Sequence, residues 1–266
     1  MEQLPRMKRA NISKQIKGLK SAVIAYSGGV DSTLLLSLAV KLLGRKKVLA
    51  VVARSETYPE REIKAAVAFC KKNRIRYKLI KTDEILDPNF SANPRERCYF
   101  CKKELFSKLL EIAKKENLNC VCDGSNLDDL SDFRPGSKAK KELGIKSPLQ
   151  EAGLTKEQIR RLSKKLKLPT WDKPSLACLS SRIPYGTAIT EPLLAQIGRA
   201  EEYLNRLGFR QFRVRHHGEV ARIEVEEKDL AKLLKFRHKI SKKLQELGYK
   251  YATLDLLGYR TGSMNL

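Results

Sequence analysis

Two kinds of residue in this chain are suited to chemistry: a Ser-Gly-Gly turn carrying an aspartate, and three cysteines set among polar neighbours. The turn reads Ser27-Gly28-Gly29-Val30-Asp31-Ser32. Successive glycines let a backbone approach a bound group closely, and Ser27, Asp31 and Ser32 add oxygens of the kind a hydrated magnesium ion takes. A helix opening here would aim unsatisfied N–H groups and the positive end of its dipole at a phosphate. No Gly-Lys-Ser/Thr follows the glycines and no G-x-G-x-x-G is formed, so neither a Walker A loop nor a dinucleotide fingerprint is present. The plainer alternative is an ordinary glycine turn between a strand and a helix.

Cys98 and Cys101 lie three apart in Asn93-Pro94-Arg95-Glu96-Arg97-Cys98-Tyr99-Phe100-Cys101-Lys102-Lys103, running into a helix over 102–116. Near a helix start such thiols share a face, and the dipole lowers their pKa. By itself the pair fits a redox couple, half a zinc site or cluster ligation. With no second C-x-x-C and three histidines, two of them adjacent, a four-ligand zinc site is hard to complete. Cys178 stands alone in Ser175-Leu176-Ala177-Cys178-Leu179-Ser180-Ser181-Arg182, where hydroxyls and an arginine favour thiolate; the alternative is a buried loop thiol. Cys70, Cys120 and Cys122 read as small buried hydrophobes.

The elements that must hold these groups follow from periodicity. Residues 1–20 read as an amphipathic helix or arm. Apolar, β-branched runs at 22–26 and 48–53, and further strand candidates at 76–81 and 119–124, alternate with helical patterns after the glycine turn and at 59–72, 102–116 and 155–168. That alternation predicts a parallel, Rossmann-like α/β sheet, with ligands beyond the strand carboxyl ends. Ser27–Ser32 fall there, as do Arg54 and Ser55, which are candidates to face a nucleotide. Asn126 and the acidic turn Asp128, Asp129 and Asp132 follow the fourth strand; a metal or ribose contact and a helix cap are both open readings.

Residues 1–172 are expected to form this first domain and 173–266 a smaller α+β domain. Helix 191–207 places Glu201 on its apolar stripe, where a carboxylate is costly unless paired or at the edge. Strand 212–215 puts Arg213 and Arg215 on one face, opposite a strand with Arg222, Glu224 and Glu226 on one face. Cross-strand ion pairing and phosphate binding both account for that pattern. His216 and His217 read as turn residues, 228–247 as a helical segment and 251–256 as a last strand.

With 54 Lys and Arg against 30 Asp and Glu, the net charge is +24, which suits nucleic acid or a solvated lysine coat. The basic residues are spread along the chain, which favours the coat. No apolar run approaches a membrane span and no signal-peptide core is present, so a cytoplasmic protein is expected. In that compartment six cysteines do not form a disulfide framework.

The glycine turn resembles the PP-loop of ATP pyrophosphatases. Together with Asn-Pro-x-x-Arg-Cys-Tyr-x-Cys-Lys-Lys, Asp-Gly-Ser-Asn-x-Asp-Asp, Ser-x-Ala-Cys-Leu-x-Ser-Arg-Ile-Pro-Tyr-Gly and Arg-Val-Arg-His-His-Gly, it is similar to the LarE family over essentially the whole chain. The resemblance implies an enzyme that uses ATP and Mg2+ to adenylylate a carboxylate of a pyridinium dicarboxylate mononucleotide. Sulfur then replaces AMP to give a thiocarboxylate, in the maturation of the nickel-pincer cofactor of lactate racemase. It implies that Ser27, Gly28, Gly29, Asp31 and Ser32 grip the pyrophosphate and that Glu201 is important. It also implies that Arg213, Arg215 and Glu224 bind the mononucleotide, and that the chains assemble as hexamers. Members with one cysteine at the position of Cys178 sacrifice its sulfur; members with three carry a [4Fe-4S] cluster. Cys98, Cys101 and Cys178 match the second kind, which is the version expected here. Cluster-dependent tRNA thiolation is the nearest alternative, and a non-catalytic ATP-binding regulator a more distant one; nucleic acid is not the expected partner.

Overall fold

The run Ala22–Ala25 (β1) is flanked by apolar neighbours on both sides because it lies in the middle of a parallel sheet. The computed structural model of the chain describes residues 6–130, 135–175, 177–260 and 262–264; Asp132 therefore lies outside the described residues. The sheet takes the order β3-β2-β1-β4, with β2 at Val48–Arg54, β3 at Tyr77–Lys81 and β4 at Cys120–Cys122. Ala22 and Ile24 join one core with Cys122, Leu34 and Leu35, while Val23 joins another with Leu49, Val121 and Leu109. Burial on both faces is what makes such strands read as continuous apolar runs. Cys120 and Cys122 share the first face, their Sγ atoms 3.9 Å apart, and burial pushes the Cys70 thiol up to about 11.

Helices α1 (Arg6–Gly18), α2 (Val30–Leu43) and α3 (Glu60–Lys72) pack on the β1 and β2 side carrying Ile24 and Ala50. After the short α4 (Pro88–Ser91), the long α5 (Arg97–Lys115) covers the opposite face with Leu105, Phe106 and Leu109. Its start at Arg97 corrects the expected onset at 102, so both C-x-x-C thiols lie inside the helix. The pattern passed over α6 (Gly136–Glu142) and α7 (Pro148–Glu151), which are too short to show a period. Helix α8 (Lys156–Lys165) opens with the expected capping box between Thr155 and Gln158.

A second sheet, order β5-β6-β7, consists of the hairpin Phe212–His217 (β5) and Val220–Val225 (β6) with Tyr251–Leu254 (β7) parallel to β6. It packs on α9 (Glu191–Arg206) through Ala200 and Leu204. The expected helix over 228–247 is two, α10 (Leu230–Lys235) and α11 (Arg237–Glu246), joined at Phe236, where the backbone leaves helical geometry. Strand β5 runs two residues beyond the expected 215, so His216 and His217 are strand residues. Burial holds both imidazoles below the usual histidine range.

By internal contacts the chain forms one unit of Met1–Asp87 with Arg95–Ser175, and another of Pro88–Pro94 with Leu176–Leu266. The sequence-based division at 172/173 did not foresee the return of Pro88–Pro94 to the second unit, where Asn93 Nδ2 donates to the carbonyls of Pro184 (2.7 Å) and Thr187 (2.9 Å). No helix among the described residues is long and apolar enough to cross a membrane.

Candidate active site

Parallel strands end together, so the turn after β1 lies at the carboxyl edge of the sheet. There Gly28 takes a left-handed φ of +69°, and a Cβ on it would lie 3.1 Å from that of Ala66 on α3. Gly29 precedes α2 and provides no side-chain cap, so the first N–H groups of that helix remain available to an anion. Ser27 and Ser32 hydroxyls lie 3.0 Å apart across the turn. Asp31 occupies the first helical turn, where a carboxylate suits the dipole.

The same edge gathers groups from far along the chain. Lys156 Nζ pairs with Asp31 from the first residue of α8, and Asn126 Nδ2 donates to the other Asp31 oxygen at 3.3 Å. Asn126 is itself held: its Oδ1 accepts from Asp128 N and its N donates to Asp129 Oδ2, both at 2.9 Å. The two described aspartates of the acidic turn thus serve as loop caps, with Asp128 also accepting from Lys156 N at 2.9 Å. Lys173 Nζ donates to the Gly28 carbonyl at 2.9 Å. Neither Lys156 nor Lys173 was singled out from sequence; the only local sign was a lysine just after the Thr155 cap.

Ser55 follows β2 and is 7% exposed, its hydroxyl donating to Glu84 Oε1 at 2.7 Å. Beside it opens a cleft of about 500 Å³ walled partly by Tyr58, Leu79 and Ile80.

Gly124 closes the loop from the β4 side. A Cβ there would sit 2.8 Å from Ser32 N and 3.1 Å from Ser32 Cα, both backbone atoms that cannot turn aside. Gly124→Ala is therefore expected to push the start of α2 outward by several tenths of an ångström and to lower kcat/KM for ATP about tenfold. Steady-state pyrophosphate release, with circular dichroism as a control for folding, checks this; unchanged kinetics would refute it.

Cys98 (exposed) and Cys101 (half-buried) occupy the first turn and a half of α5, one helical step apart. Cys178 belongs to the other unit. Within either unit, no three His, Cys, Asp or Glu side chains among the described residues are grouped to hold a metal ion.

In the second unit Cys178 caps a short turn, Leu179–Arg182, whose arginine is 0% exposed. Arg182 donates to the carbonyls of Ala177 and Cys178 at 2.9 Å, so a guanidinium braces the cysteine loop. Its other edge forms a two-pronged pair with Glu201, at 2.8 and 3.0 Å. Glu201 Oε1 also accepts from Val214 N at 3.1 Å. Burial, the largest single influence, would raise the Glu201 carboxyl, but the charge and hydrogen bonds of Arg182, the Arg213 charge and the Val214 N–H together hold the group below the usual glutamate range.

Arg213 faces Glu224 across the hairpin and Arg215 faces Arg222. Arg215 donates to Glu224 Oε2 (2.9 Å), Ser263 Oγ (3.0 Å) and the Ser181 carbonyl (2.9 Å). Arg213 lies 5.0 Å from the Tyr259 ring centre, and its pKa is lowered to about 10, by burial first and by the Arg182 charge second. Cys178, Glu201, Arg213, Arg215 and Glu224 are thus brought into one connected network. Arg182, its hub, was missed because an arginine beside serines in a loop has no periodic signal of burial.

Residues 6–109 match the family described as NAD synthase. The chain is 40% identical over 258 residues to the pyridinium-3,5-bisthiocarboxylic acid mononucleotide synthase of Lactiplantibacillus plantarum, covering 97% of this chain and 94% of that one. An uncharacterized protein of Synechocystis sp. is 44% identical over 260 residues, 97% of each chain. Another, from Methanocaldococcus jannaschii, is 34% identical over 251 residues, 94% of this chain and 95% of its own.

Proposed function

Because this chain belongs to the LarE family of ATP-dependent, PP-loop sulfur-inserting enzymes, we propose that it adenylylates a carboxylate of a pyridinium dicarboxylate mononucleotide and exchanges AMP for sulfur. The observation that carries this reading is the start of α2. Its N-terminus has no side-chain cap, and Asp31, Lys156 and the Lys173-held Gly28 carbonyl surround it. Gly28, Gly29 and the N–H groups before Ser32 would receive the pyrophosphate end of ATP. Asp31, Ser27 and Ser32 offer the oxygen set that Mg2+ takes, and the ion would neutralise charge on the departing pyrophosphate. Ser55 and its cleft suit the base end of the nucleotide.

Attack of the substrate carboxylate on the α-phosphorus breaks the α–β P–O bond, releases pyrophosphate and leaves an acyl adenylate. Oxide, a poor leaving group, is thereby replaced by AMP. A sulfur nucleophile then adds to the carbonyl carbon, and collapse of the tetrahedral adduct expels AMP. Arg213 and Arg215 are assigned the substrate phosphate, oriented by Glu224; Glu201 acts through Arg182 on the backbone of Cys178. Three thiols are a donor set that suits a [4Fe-4S] cluster: Cys98, Cys101 and Cys178 would hold it, and it would supply the sulfur chemistry of the second step. A cytoplasmic homo-oligomer is the expected form.

Anaerobically purified protein should release pyrophosphate in the presence of ATP and the pyridinium substrate, and should contain about four irons per chain that fall sharply in Cys178→Ala. ADP release in place of pyrophosphate would refute the adenylylation. Absent iron, or iron unchanged by that substitution, would refute the cluster.

A further inference from the structure

A lysine remote in sequence grips the one carbonyl of the phosphate turn that glycine leaves free to rotate. Lys173 Nζ donates to the Gly28 carbonyl at 2.9 Å and pairs with Glu62 Oε2, in the first turn of α3, at 2.5 Å. The backbone from which it reaches is fixed in turn. Arg160 on α8 donates to the carbonyls of Trp171 (2.9 Å) and Lys173 (2.7 Å). Lys164 Nζ, one turn on, lies 4.5 Å from the centre of the Trp171 ring. The lysine side chain is 19% exposed and Glu62 17%, so the pair sits in a partly desolvated position where a charged hydrogen bond has weight.

The geometry has a consequence for the nucleotide. In a trans peptide the carbonyl and the following N–H point in opposite directions. Holding the Gly28 oxygen toward Lys173 therefore aims the Gly29 N–H away from it, on the side of the turn where it meets the Ser27 hydroxyl in a long contact of 3.4 Å that a phosphate oxygen would replace. Gly28 has no Cβ and sits at φ +69°, so its peptide would otherwise rotate readily between orientations. Only one of them offers an N–H to a phosphate.

We infer that Lys173 is a positioning residue for ATP: pinned by Arg160 and Glu62, it locks the Gly28–Gly29 peptide in its phosphate-binding orientation. Its effect should fall on nucleotide binding rather than on the chemical step, because its hydrogen bond is to the backbone of the phosphate turn and its charge is paired with Glu62. This inference rests on the adenylylation reading, and its test separates the two.

Lys173→Met should raise KM for ATP about tenfold in the pyrophosphate assay, with kcat within about twofold of wild type. Calorimetric titration with ATP should show the same loss in Kd. Arg160→Met should move KM in the same direction by less, and the double variant should match Lys173→Met alone, since both act on one peptide. Lys173→Arg, which can still donate to the carbonyl, should recover most of the affinity. A KM within twofold of wild type in Lys173→Met, or additive effects in the double variant, would overturn the inference. Should Lys173→Met not fold, the KM shift in Arg160→Met decides: none overturns the inference. Failure of the wild type to release pyrophosphate would instead overturn the adenylylation reading, and ATP titration of the same variants would still test the lysine.

Discussion

Replacing Asp31 with alanine should lower pyrophosphate release by at least about a hundredfold while leaving the fold almost as stable as before. The carboxylate stands in the first turn of α2, where the helix dipole favours it, and it accepts from Asn126 and Lys156. It is the ionised oxygen donor in the turn, so its removal takes away the anchor for a divalent cation on the departing pyrophosphate. Stability should change little because Lys156 is 31% exposed and can turn to water once its partner is gone. Asp31→Asn keeps the shape and one of the two acceptor oxygens but not the charge. It should be nearly as inactive as Asp31→Ala, which separates charge from packing. Quenched-flow assays at saturating ATP and magnesium are the measurement, and activity within tenfold of wild type would reject the role.

Glu201→Ala should have the opposite profile, a large loss of stability. Glu201 and Arg182 are 1% and 0% exposed, and their pair is two-pronged. Removing one partner leaves a guanidinium with no counter-charge in the interior, which costs about 3–5 kcal/mol. Denaturant unfolding reads this directly, and a change below about 1 kcal/mol would contradict the buried pair. Glu201→Gln retains the shape and adds a pH test. The folded carboxyl titrates below its usual range, so its stabilisation is fully present above the unfolded value of about 4.3 and is lost as pH falls through the folded value. The stability gap between wild type and Glu201→Gln should therefore be flat from about pH 8 to pH 5 and close only in acid. A gap that closes near neutrality would mean that another group is titrating. Since Arg182 also braces the Cys178 carbonyl, the same variants should lose sulfur insertion more than pyrophosphate release.

Much of this was legible along the chain. The Ser-Gly-Gly turn, the Thr155–Gln158 capping box, and the runs that became β1, β2 and β4 depend on neighbours within a few residues. Such features follow from φ freedom, cap hydrogen bonds and the period of burial, all of which a local pattern records. The shared face of Arg213 and Arg215 opposite Glu224 was readable for the same reason, because alternation in a hairpin leaves little choice of register. Helix starts were less so: α5 begins at Arg97 with no side-chain cap to mark it.

The partners of the charges were another matter. Lys156 and Lys173 meet the glycine turn from 125 and 145 residues away, and Gly124 abuts the backbone of Ser32. Arg182 was read as part of a polar loop, yet it is fully buried against Glu201. Ion pairing has no period and no preferred spacing, so the sequence offers the ionisable groups without saying which will meet. Which ones do is settled when helices and strands dock, because only then do the low dielectric and the closing geometry make one pairing far better than the rest.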